Sequence, residues 1–332
     1  MKGILFQPSH PSKIQYTEVA RPVCKPDEVL VRVKAAALNH RDEWCRQGLY
    51  PNLKEGIILG SDGAGVVEEI GSEVNPSFLG KEVIINPALH WGSNPRAQGA
   101  EFEILGMPRN GTFAEFVAVP LDRIHSKPIH FSWEEAAAFP LAALTAYRAV
   151  VVQGGVTSKD KVLVTGIGGG VALFALQIAH ALGATVLVSS SSEDKLAKAK
   201  KLGASFGFNY TTPTWTTALL QQTGGVDVVI DGTSGDTLSS LMSVGVPGAR
   251  LVFYGATRGN PPQLEARKLF WNQLKLIGST MGSDTDFIRV LELFTSATLR
   301  PTIDQVFSLA DAEHAFDRMK RGEQLGKIIL VP

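Results

Sequence analysis

A glycine-rich turn near the middle of the chain joins a short apolar strand directly to a long apolar helix. Residues 161–165 are typical of a buried strand, and residues 171–182 predict a helix that ends at Gly183. The turn between them is Gly166-Ile167-Gly168-Gly169-Gly170. A turn this short between a strand and a helix favours a β-α unit, in which the chain returns to extend a parallel sheet. This feature constrains the fold more than any other in the sequence.

Strands and helices go on alternating between residue 123 and residue 282. A helix is predicted to begin at Ser192 or a neighbouring serine and to run to Leu202, before Gly203. Continuous apolar strands that alternate with helices predict a doubly wound parallel sheet of about six strands. The predicted strands include residues 161–165, 185–188, 226–230, 249–254 and 276–279.

The residues on either side of this region have a different pattern. From residue 1 to about 122, short β-rich runs are separated by Gly and Pro, which predicts a compact, partly open β-barrel. After residue 283 we expect two amphipathic helices and a last strand that packs back onto the first domain. A chain of 332 residues is long enough for two domains. The predicted runs are the strands 28–34, 65–71, 81–85 and 327–331 and the helices 287–294 and 311–321.

Composition excludes several classes of function. The 32 basic and 32 acidic residues cancel, so no basic field for nucleic acid or an anionic membrane is expected. The two cysteines, Cys24 and Cys45, cannot make a disulfide framework or a four-thiolate zinc site. The apolar run at residues 136–152 contains Pro140 and Arg148, so a buried helix is expected there instead of a membrane span. With no signal-peptide pattern at the start, we expect a cytoplasmic protein.

The glycine turn has the context that a dinucleotide site requires. Gly166 permits the tight turn, and Gly169 and Gly170 let the backbone approach a pyrophosphate. The free N–H groups of Gly168, Val171 and their neighbours, with the dipole of the helix start, favour the phosphate charge. The alternative is a glycine-rich turn in an unrelated α/β protein.

The residues after the second strand of this sheet favour NADP(H) over NAD(H). NAD sites place an Asp or Glu at this strand end to accept the ribose hydroxyls. Here Val188 is followed by four serines, and the carboxylates at 193–194 fall in the next helix. Ser190 and Ser191 can donate to a 2′-phosphate, and Lys195 can neutralise it. The alternative is that the serines only cap the helix and that Lys195 is a surface charge.

Several segments together resemble the medium-chain dehydrogenase/reductase superfamily over nearly the whole chain. The resemblance implies a GroES-like β-barrel catalytic domain at 1–122 and 283–332 and a Rossmann NADP-binding domain at 123–282. The segments that carry it are the glycine turn, Leu59–Val67, Gly111–Phe116, Lys201–Ala204, Asn209-Tyr210 and Gly326–Ile328.

Within that superfamily the chain is most similar to zinc-independent quinone oxidoreductases and enoyl reductases. Zinc-dependent members have a cysteine where this chain has Asn39 and a histidine where it has Ser61, and neither replacement is a zinc ligand. The region of the structural-zinc lobe, residues 88–107, contains no cysteine. The other metal-ligating candidates, His40, Cys45, Asp62 and His90, have no helical ligand spacing. No metal is therefore expected.

The resemblance also implies a substrate site around Asn39 and Tyr50, which would border the nicotinamide and the substrate. His40 is a candidate hydrogen-bond donor, with a structural role as the alternative. Trp44 is either a wall of the substrate pocket or part of the core. Asp42 is expected to be an N-cap or a structural ion-pair residue and not a base.

The resemblance assigns further residues to the nucleotide and to a second subunit. Tyr210 is expected against the adenosine, Thr233 near the nicotinamide, and Gly255 along the nucleotide cleft. Relatives pair through the last strand of the Rossmann sheet, here residues 276–279, so a homodimer is expected.

These expectations predict an NADPH-dependent enzyme that transfers hydride to a quinone or an α,β-unsaturated carbonyl. Without a metal, a conjugated acceptor suits the site because hydride can add to a carbon remote from the carbonyl. One alternative is an enoyl-thioester reductase or an alcohol dehydrogenase-like enzyme of the same fold. Another is an NADPH-binding protein with little turnover, crystallin-like or RNA-binding.

Overall fold

A computed structural model describes all residues from 1 to 332. The chain forms two compact units, Met1–Ala142 with Ser283–Pro332, and Ala143–Gly282. Residues 123–142, which the sequence pattern assigned to the second domain, fall in the first unit because the helix at 133–138 packs on strands of that unit. No helix combines the length and hydropathy that a membrane span requires.

The observed strands largely coincide in sequence with the apolar runs from which strands were predicted. They are β1 (Lys2–Phe6), β2 (Ile14–Glu18), β3 (Glu28–Ala37), β4 (Asp62–Ile70), β5 (Glu82–Ile85), β6 (Ala88–Leu89), β7 (Glu103–Ile104), β8 (Phe116–Pro120), β9 (Ile124–Ser126), β10 (Lys161–Val164), β11 (Thr185–Ser190), β12 (Phe206–Asn209), β13 (Val226–Asp231), β14 (Gly245–Phe253), β15 (Lys275–Gly278), β16 (Ile303–Ser308) and β17 (Lys327–Val331).

Five of the ten helices begin after a capping side chain or after a glycine. The helices are α1 (His40–Gln47), α2 (Trp133–Ala138), α3 (Pro140–Tyr147), α4 (Gly170–Ala181), α5 (Glu193–Lys201), α6 (Trp215–Thr223), α7 (Leu238–Val244), α8 (Ala266–Trp271), α9 (Asp284–Ser296) and α10 (Ala312–Lys320). The apolar run at 136–152 is helical, as predicted, and a π-helical stretch, Arg148–Gln153, extends α3.

The first unit is built on a seven-stranded sheet. Six strands follow the order β16-β17-β3-β4-β5-β9, and β8 also pairs with β3. The last strand, β17, lies antiparallel to β3, with Leu330 opposite Ala36. The predicted return of the C-terminal segment to the first domain is therefore observed. It brings the start of β17 close to the end of β3 and the start of β4, where the polar residues described below lie.

The second unit contains the predicted six-stranded parallel sheet. Its order is β12-β11-β10-β13-β14-β15, with every neighbouring pair parallel. The chain goes outward from β10 to one edge, returns to β13 and then goes to the other edge, which is the doubly wound pattern. All six strands end at one edge of the sheet, where loops bind ligands in such folds.

Candidate functional site

A buried polar cluster lies in the first unit where β3 ends and where β4 and β17 begin. The Lys327 ammonium donates to Asn39 Oδ1 at 2.6 Å and to Asp62 Oδ2 at 2.9 Å. Asn39 Nδ2 donates to the same Asp62 oxygen at 2.9 Å. Each pair of these three side chains is therefore joined by a hydrogen bond. The opposite charges of Lys327 and Asp62 compensate each other, and both residues are buried.

The Asp62 carboxylate is completely buried and satisfied on both oxygens. Its Oδ1 accepts the backbone N–H of Leu141 at 2.8 Å, and its Oδ2 holds Asn39 and Lys327. The hydroxyl of Thr112 also donates to the Asp62 carbonyl at 2.7 Å. A buried charge is tolerated only when it is paired and hydrogen-bonded in this way.

A second buried cation, Arg41, lies beside this cluster on α1. Its guanidinium donates to Ser61 Oγ at 2.5 Å and to the Leu105 carbonyl at 2.8 Å, and Ser61 Oγ donates to the same carbonyl at 2.8 Å. The guanidinium carbon lies 4.7 Å from the centre of the Tyr50 ring, and Arg41 Nε donates to the Tyr50 hydroxyl at 3.3 Å. Arg41 therefore fixes both Ser61 and Tyr50.

Asp42 is the third residue of α1 and closes the start of that helix. Its Oδ2 accepts the backbone N–H of Asn39 at 2.8 Å, so Asn39 is the N-cap of α1, and the expectation of Asp42 as the N-cap itself is wrong. Its Oδ1 is buried without a hydrogen-bond partner and lies 3.9 Å from Arg41. Burial raises the pKa of Asp42 to about 6, although Arg41 opposes that effect. Burial also raises the pKa of Cys45 to about 12, so this thiol stays neutral.

These residues do not fit a zinc ion. The two positions that the resemblance compares with metal ligands hold an amide, Asn39, and a hydroxyl, Ser61, which are poor zinc ligands. Each already binds a buried cation, Lys327 or Arg41, and those charges would repel a metal ion. The structure contains no group of three or more His, Cys, Asp or Glu side chains that could hold a metal.

The other two candidates of this segment, His40 and Trp44, lie on α1. His40 is the first residue of the helix and is exposed, and Trp44 is half-buried one turn later. Their ring centres are 6.4 Å apart. Both residues therefore lie in the first two turns of the helix that Asn39 caps.

In the second unit the glycine turn joins β10 to α4, as predicted. Gly166 has φ +60, a conformation that favours glycine, and α4 begins at Gly170 after the cap residue Gly169. No side chain caps this helix, so its first N–H groups are open to an anion. Gly168 and Val171, on either side of the helix start, are half-buried. This arrangement fits the pyrophosphate of a dinucleotide.

The serines at the end of β11 and directly after it have separate roles. Ser192 caps α5 by accepting the backbone N–H of Lys195, as one alternative predicted. Ser190 lies at the strand end, is 5% exposed, and its carbonyl accepts the backbone N–H of Tyr210 at 3.1 Å. Ser191 is exposed. Ser190, Ser191, Lys195 and Tyr210 therefore lie together at one end of the sheet edge, where no carboxylate ends the strand.

A completely buried carboxylate, Asp231, organises the other half of this edge. It accepts hydrogen bonds from the hydroxyls of Thr165 at 2.5 Å and Thr233 at 2.6 Å, and from the backbone N–H of Ser234 at 2.7 Å. Thr233 lies beside the glycine turn, since a Cβ at Gly166 would be 3.5 Å from Thr233 Cγ2.

Gly255 lies beside this segment as well. A Cβ at Gly255 would be 3.0 Å from the carbonyl oxygen of Gly232, which directly precedes Thr233. Gly255 follows β14, the neighbour of β13 in the sheet. The structure therefore brings the glycine turn, Thr233 and Gly255 together.

Sequence reasoning did not assign a site role to Lys327, Arg41 or Asp231. Two of them carry a signal that was present in the sequence. Lys327 and Asp231 are ionisable residues at the ends of largely apolar strands, where a buried charge requires a specific partner. Arg41 has no such signal, because its partners at 61 and 105–107 are distant in sequence.

Comparison with known proteins agrees with both units. The family model described as alcohol dehydrogenase GroES-like domain matches residues 25–129, and the model described as zinc-binding dehydrogenase matches residues 170–296. A zinc-type alcohol dehydrogenase-like protein, YogA, of Leptosphaeria maculans is 34% identical over 96% of this chain and 94% of its own length.

Two further relatives match along the full length of the chain. An acryloyl-coenzyme A reductase of Sulfurisphaera tokodaii is 29% identical over 100% of both chains. The crystal structure of an NAD-dependent alcohol dehydrogenase superposes with a TM-score of 0.95 at 37% identity, again over 100% of both chains. The chain therefore belongs to the medium-chain dehydrogenase/reductase superfamily and is an oxidoreductase of that superfamily.

Proposed function

We propose that this protein uses NADPH to reduce a quinone or an α,β-unsaturated carbonyl compound and needs no metal ion. The observation that carries the proposal is the engagement of Asn39 by Lys327 and of Ser61 by Arg41. Where a zinc enzyme needs free anionic or imidazole ligands, this chain has neutral side chains that are already bound to cations.

The proposed substrate class follows from what the remaining groups can do. NADPH, when bound, supplies the hydride. A conjugated acceptor takes hydride at a carbon away from its oxygen, so the protein has only to stabilise negative charge on that oxygen. Asn39 and Tyr50 are the side chains of the first unit that we assign to this task. The name of the acryloyl-coenzyme A reductase, a relative over the full chain, supports a conjugated acceptor.

The proposed preference for NADPH rests on the end of β11. No carboxylate stands there to accept the ribose hydroxyls or to repel a 2′-phosphate. The hydroxyls of Ser190 and Ser191 stand there instead. The ammonium of Lys195, in the first turn of α5, adds positive charge nearby. In this respect the proposal departs from the solved relative, whose description names NAD.

We also propose that two copies of the chain pair through β15. This strand is an edge of the parallel sheet, and its backbone groups are free to pair with another strand. Three apolar side chains in or just before it are exposed: Phe270 by 66%, Trp271 by 80% and Leu276 by 37%. Light scattering of the purified protein should give the mass of a dimer, and a monomer at all concentrations would reject this pairing.

Consumption of NADPH with a panel of acceptors tests the proposed activity. We expect turnover with enones, enals or quinones by protein that contains no stoichiometric metal and retains its rate after dialysis against a chelator. A rate that depends on added zinc, or turnover of simple alcohols alone, would reject the proposal. Tight NADPH binding without turnover of any acceptor would favour the alternative of a binding protein.

A further inference from the structure

The side-chain amide of Asn39 is fixed in one orientation by two charged neighbours. Its Oδ1 accepts from Lys327 at 2.6 Å, and its Nδ2 donates to Asp62 at 2.9 Å. A flipped amide would point its NH₂ group at the ammonium and its oxygen at the carboxylate, and both contacts would be repulsive. The charges of Lys327 and Asp62 therefore specify which end of the amide is the donor.

One hydrogen of this amide remains available. An amide nitrogen carries two hydrogens, and the single protein acceptor of Asn39 Nδ2 is Asp62. Asn39 is 7% exposed, whereas Asp62 is completely buried and Lys327 is 3% exposed. Of the three buried residues, Asn39 is therefore the most exposed.

We propose that Lys327 and Asp62 hold and polarise the Asn39 amide as a hydrogen-bond donor to a negatively charged substrate oxygen. Asn39 is the catalytic residue in this inference, and the other two are positioning residues. A cation on the amide oxygen draws electron density from the nitrogen, so the free N–H becomes a stronger donor. The buried ammonium thus provides, through the amide, some of the positive potential that a metal ion provides in other enzymes.

This inference rests on the proposed function and adds to it the two charged residues, Lys327 and Asp62, that orient and polarise Asn39. When hydride reaches the carbon end of the conjugated system, the electrons of the double bond move to the carbonyl oxygen and form an enolate. The Asn39 N–H donates to that oxygen without transferring its proton. A proton from water then completes the reduced product, so Asn39, Lys327 and Asp62 return unchanged.

Binding of para-nitrophenolate to the protein saturated with NADP⁺ tests the inference independently of turnover. This anion places negative charge on an oxygen conjugated to an apolar ring, and hydrogen bonding shifts its absorption. We expect Asn39→Ala to weaken binding roughly tenfold or more, since a hydrogen bond to a charged group is worth about 1.5–3 kcal/mol. Lys327→Met should weaken binding similarly. The variant that combines Asn39→Ala with Lys327→Met should lose no more affinity than Asn39→Ala alone.

Two further variants separate positioning from folding. Lys327→Met leaves Asp62 as an unpaired buried charge, so the variant Lys327→Met/Asp62→Asn, which removes both charges, is measured beside it. Lys127→Met is the matched control: Lys127 is another lysine with a buried side chain in this unit, bound to the Phe131 carbonyl and Glu82. Melting temperatures identify variants that fail to fold, and the control should bind the phenolate as the parent does.

The outcomes decide the inference without reference to the acceptor panel. Equal losses in Asn39→Ala and in the charge-free variant, with no further loss on combination, support it. Additive losses would show that Lys327 acts independently of Asn39 and would overturn it. It would be overturned as well if the parent protein does not bind the phenolate, or if Asn39→Ala binds it unchanged.

Discussion

Lys327 Nζ lies 2.6 Å from Asn39 Oδ1, although 288 residues separate the two in sequence. The contact exists because β17 pairs with β3, which places the first residue of the last strand beside the start of α1. The C-terminal strand therefore does more than complete the sheet, since it delivers a buried cation to the candidate site. Removing this strand would take the cation from Asn39 and leave Asp62 buried without its counter-charge.

Replacing Ser190 by Asp is expected to reverse the proposed preference for NADPH over NADH. A carboxylate at the end of β11 would accept the ribose hydroxyls of NADH and repel the 2′-phosphate of NADPH. The ratio of dissociation constants for the two nucleotides should shift toward NADH by at least about tenfold, which is ~1.4 kcal/mol. Fluorescence titration with both nucleotides measures this ratio.

Ser192→Ala is the control for that experiment. It removes the cap of α5, which should cost about 1 kcal/mol of stability. It should nevertheless leave the nucleotide ratio as it is, because Ser192 is engaged by the helix. An unchanged ratio in Ser190→Asp would mean that the 2′-phosphate does not bind at this strand end.

Gly166→Ala is expected to weaken NADPH binding through the backbone. Residue 166 has φ +60, which costs a residue with a Cβ about 1–2 kcal/mol. The nearest contact of the new Cβ, 3.5 Å to Thr233 Cγ2, is ordinary, so the fold should survive. The added methyl group lies in the turn where the pyrophosphate approaches, so the dissociation constant should rise.

Gly224→Ala is a matched control for this change. Gly224 has φ +73 at the end of α6, and a Cβ there meets nothing within 4 Å. It should lose similar stability and bind NADPH normally. Equal nucleotide affinities for the two variants would contradict the placement of the phosphates at the turn.

Much of the fold could be predicted because its strands are recognisable from local sequence patterns. The run at 226–230 is entirely apolar except for Asp227 and is observed as β13, and the glycine turn is observed between β10 and α4. These elements depend on patterns within a few residues, and such patterns are visible in one sequence.

The internal bonding of the candidate site could be predicted less well. The resemblance proposes Asn39 and Tyr50 as site residues, but it does not give the partners that fix them. Arg41 binds Ser61 and the carbonyls of Leu105 and Met107, and these contacts arise only when distant segments fold together. A single sequence carries no periodic signal for such contacts.

Asp42 should make the stability of the protein depend on pH between about 4 and 6. Its pKa is 3.8 when unfolded and about 6 when folded, because burial disfavours the charged form. The folded state therefore binds the proton more tightly, and the resulting stability is present below pH 3.8 and is lost as the pH rises through about 6. A difference of this size corresponds to about 3 kcal/mol.

Asp42→Asn should remove this dependence while keeping an acceptor for the Asn39 backbone N–H. Urea unfolding at several pH values measures it. The variant should match or exceed the parent protein in stability at neutral pH, and the advantage should shrink toward pH 4 because the parent is then protonated. Parallel curves for the two proteins across this range would show that Asp42 ionises normally in the folded state.

Asp231→Asn should loosen the segment beside the glycine turn. One oxygen of the buried carboxylate accepts from Thr165 and Thr233, and the other accepts the Ser234 backbone N–H. An amide has only one oxygen, so its NH₂ group would face at least one of these donors and that hydrogen bond would be lost. We expect a loss of about 1–3 kcal/mol in unfolding free energy and a higher dissociation constant for NADPH.

Asp227→Asn is the control for Asp231→Asn. Asp227 lies at the other end of β13, and its carboxylate accepts the Lys161 backbone N–H. The control variant should lose stability without losing nucleotide affinity, since Asp227 lies away from the turn. If both variants keep the parent affinity, Asp231 supports only the fold and does not position Thr233 for the nucleotide.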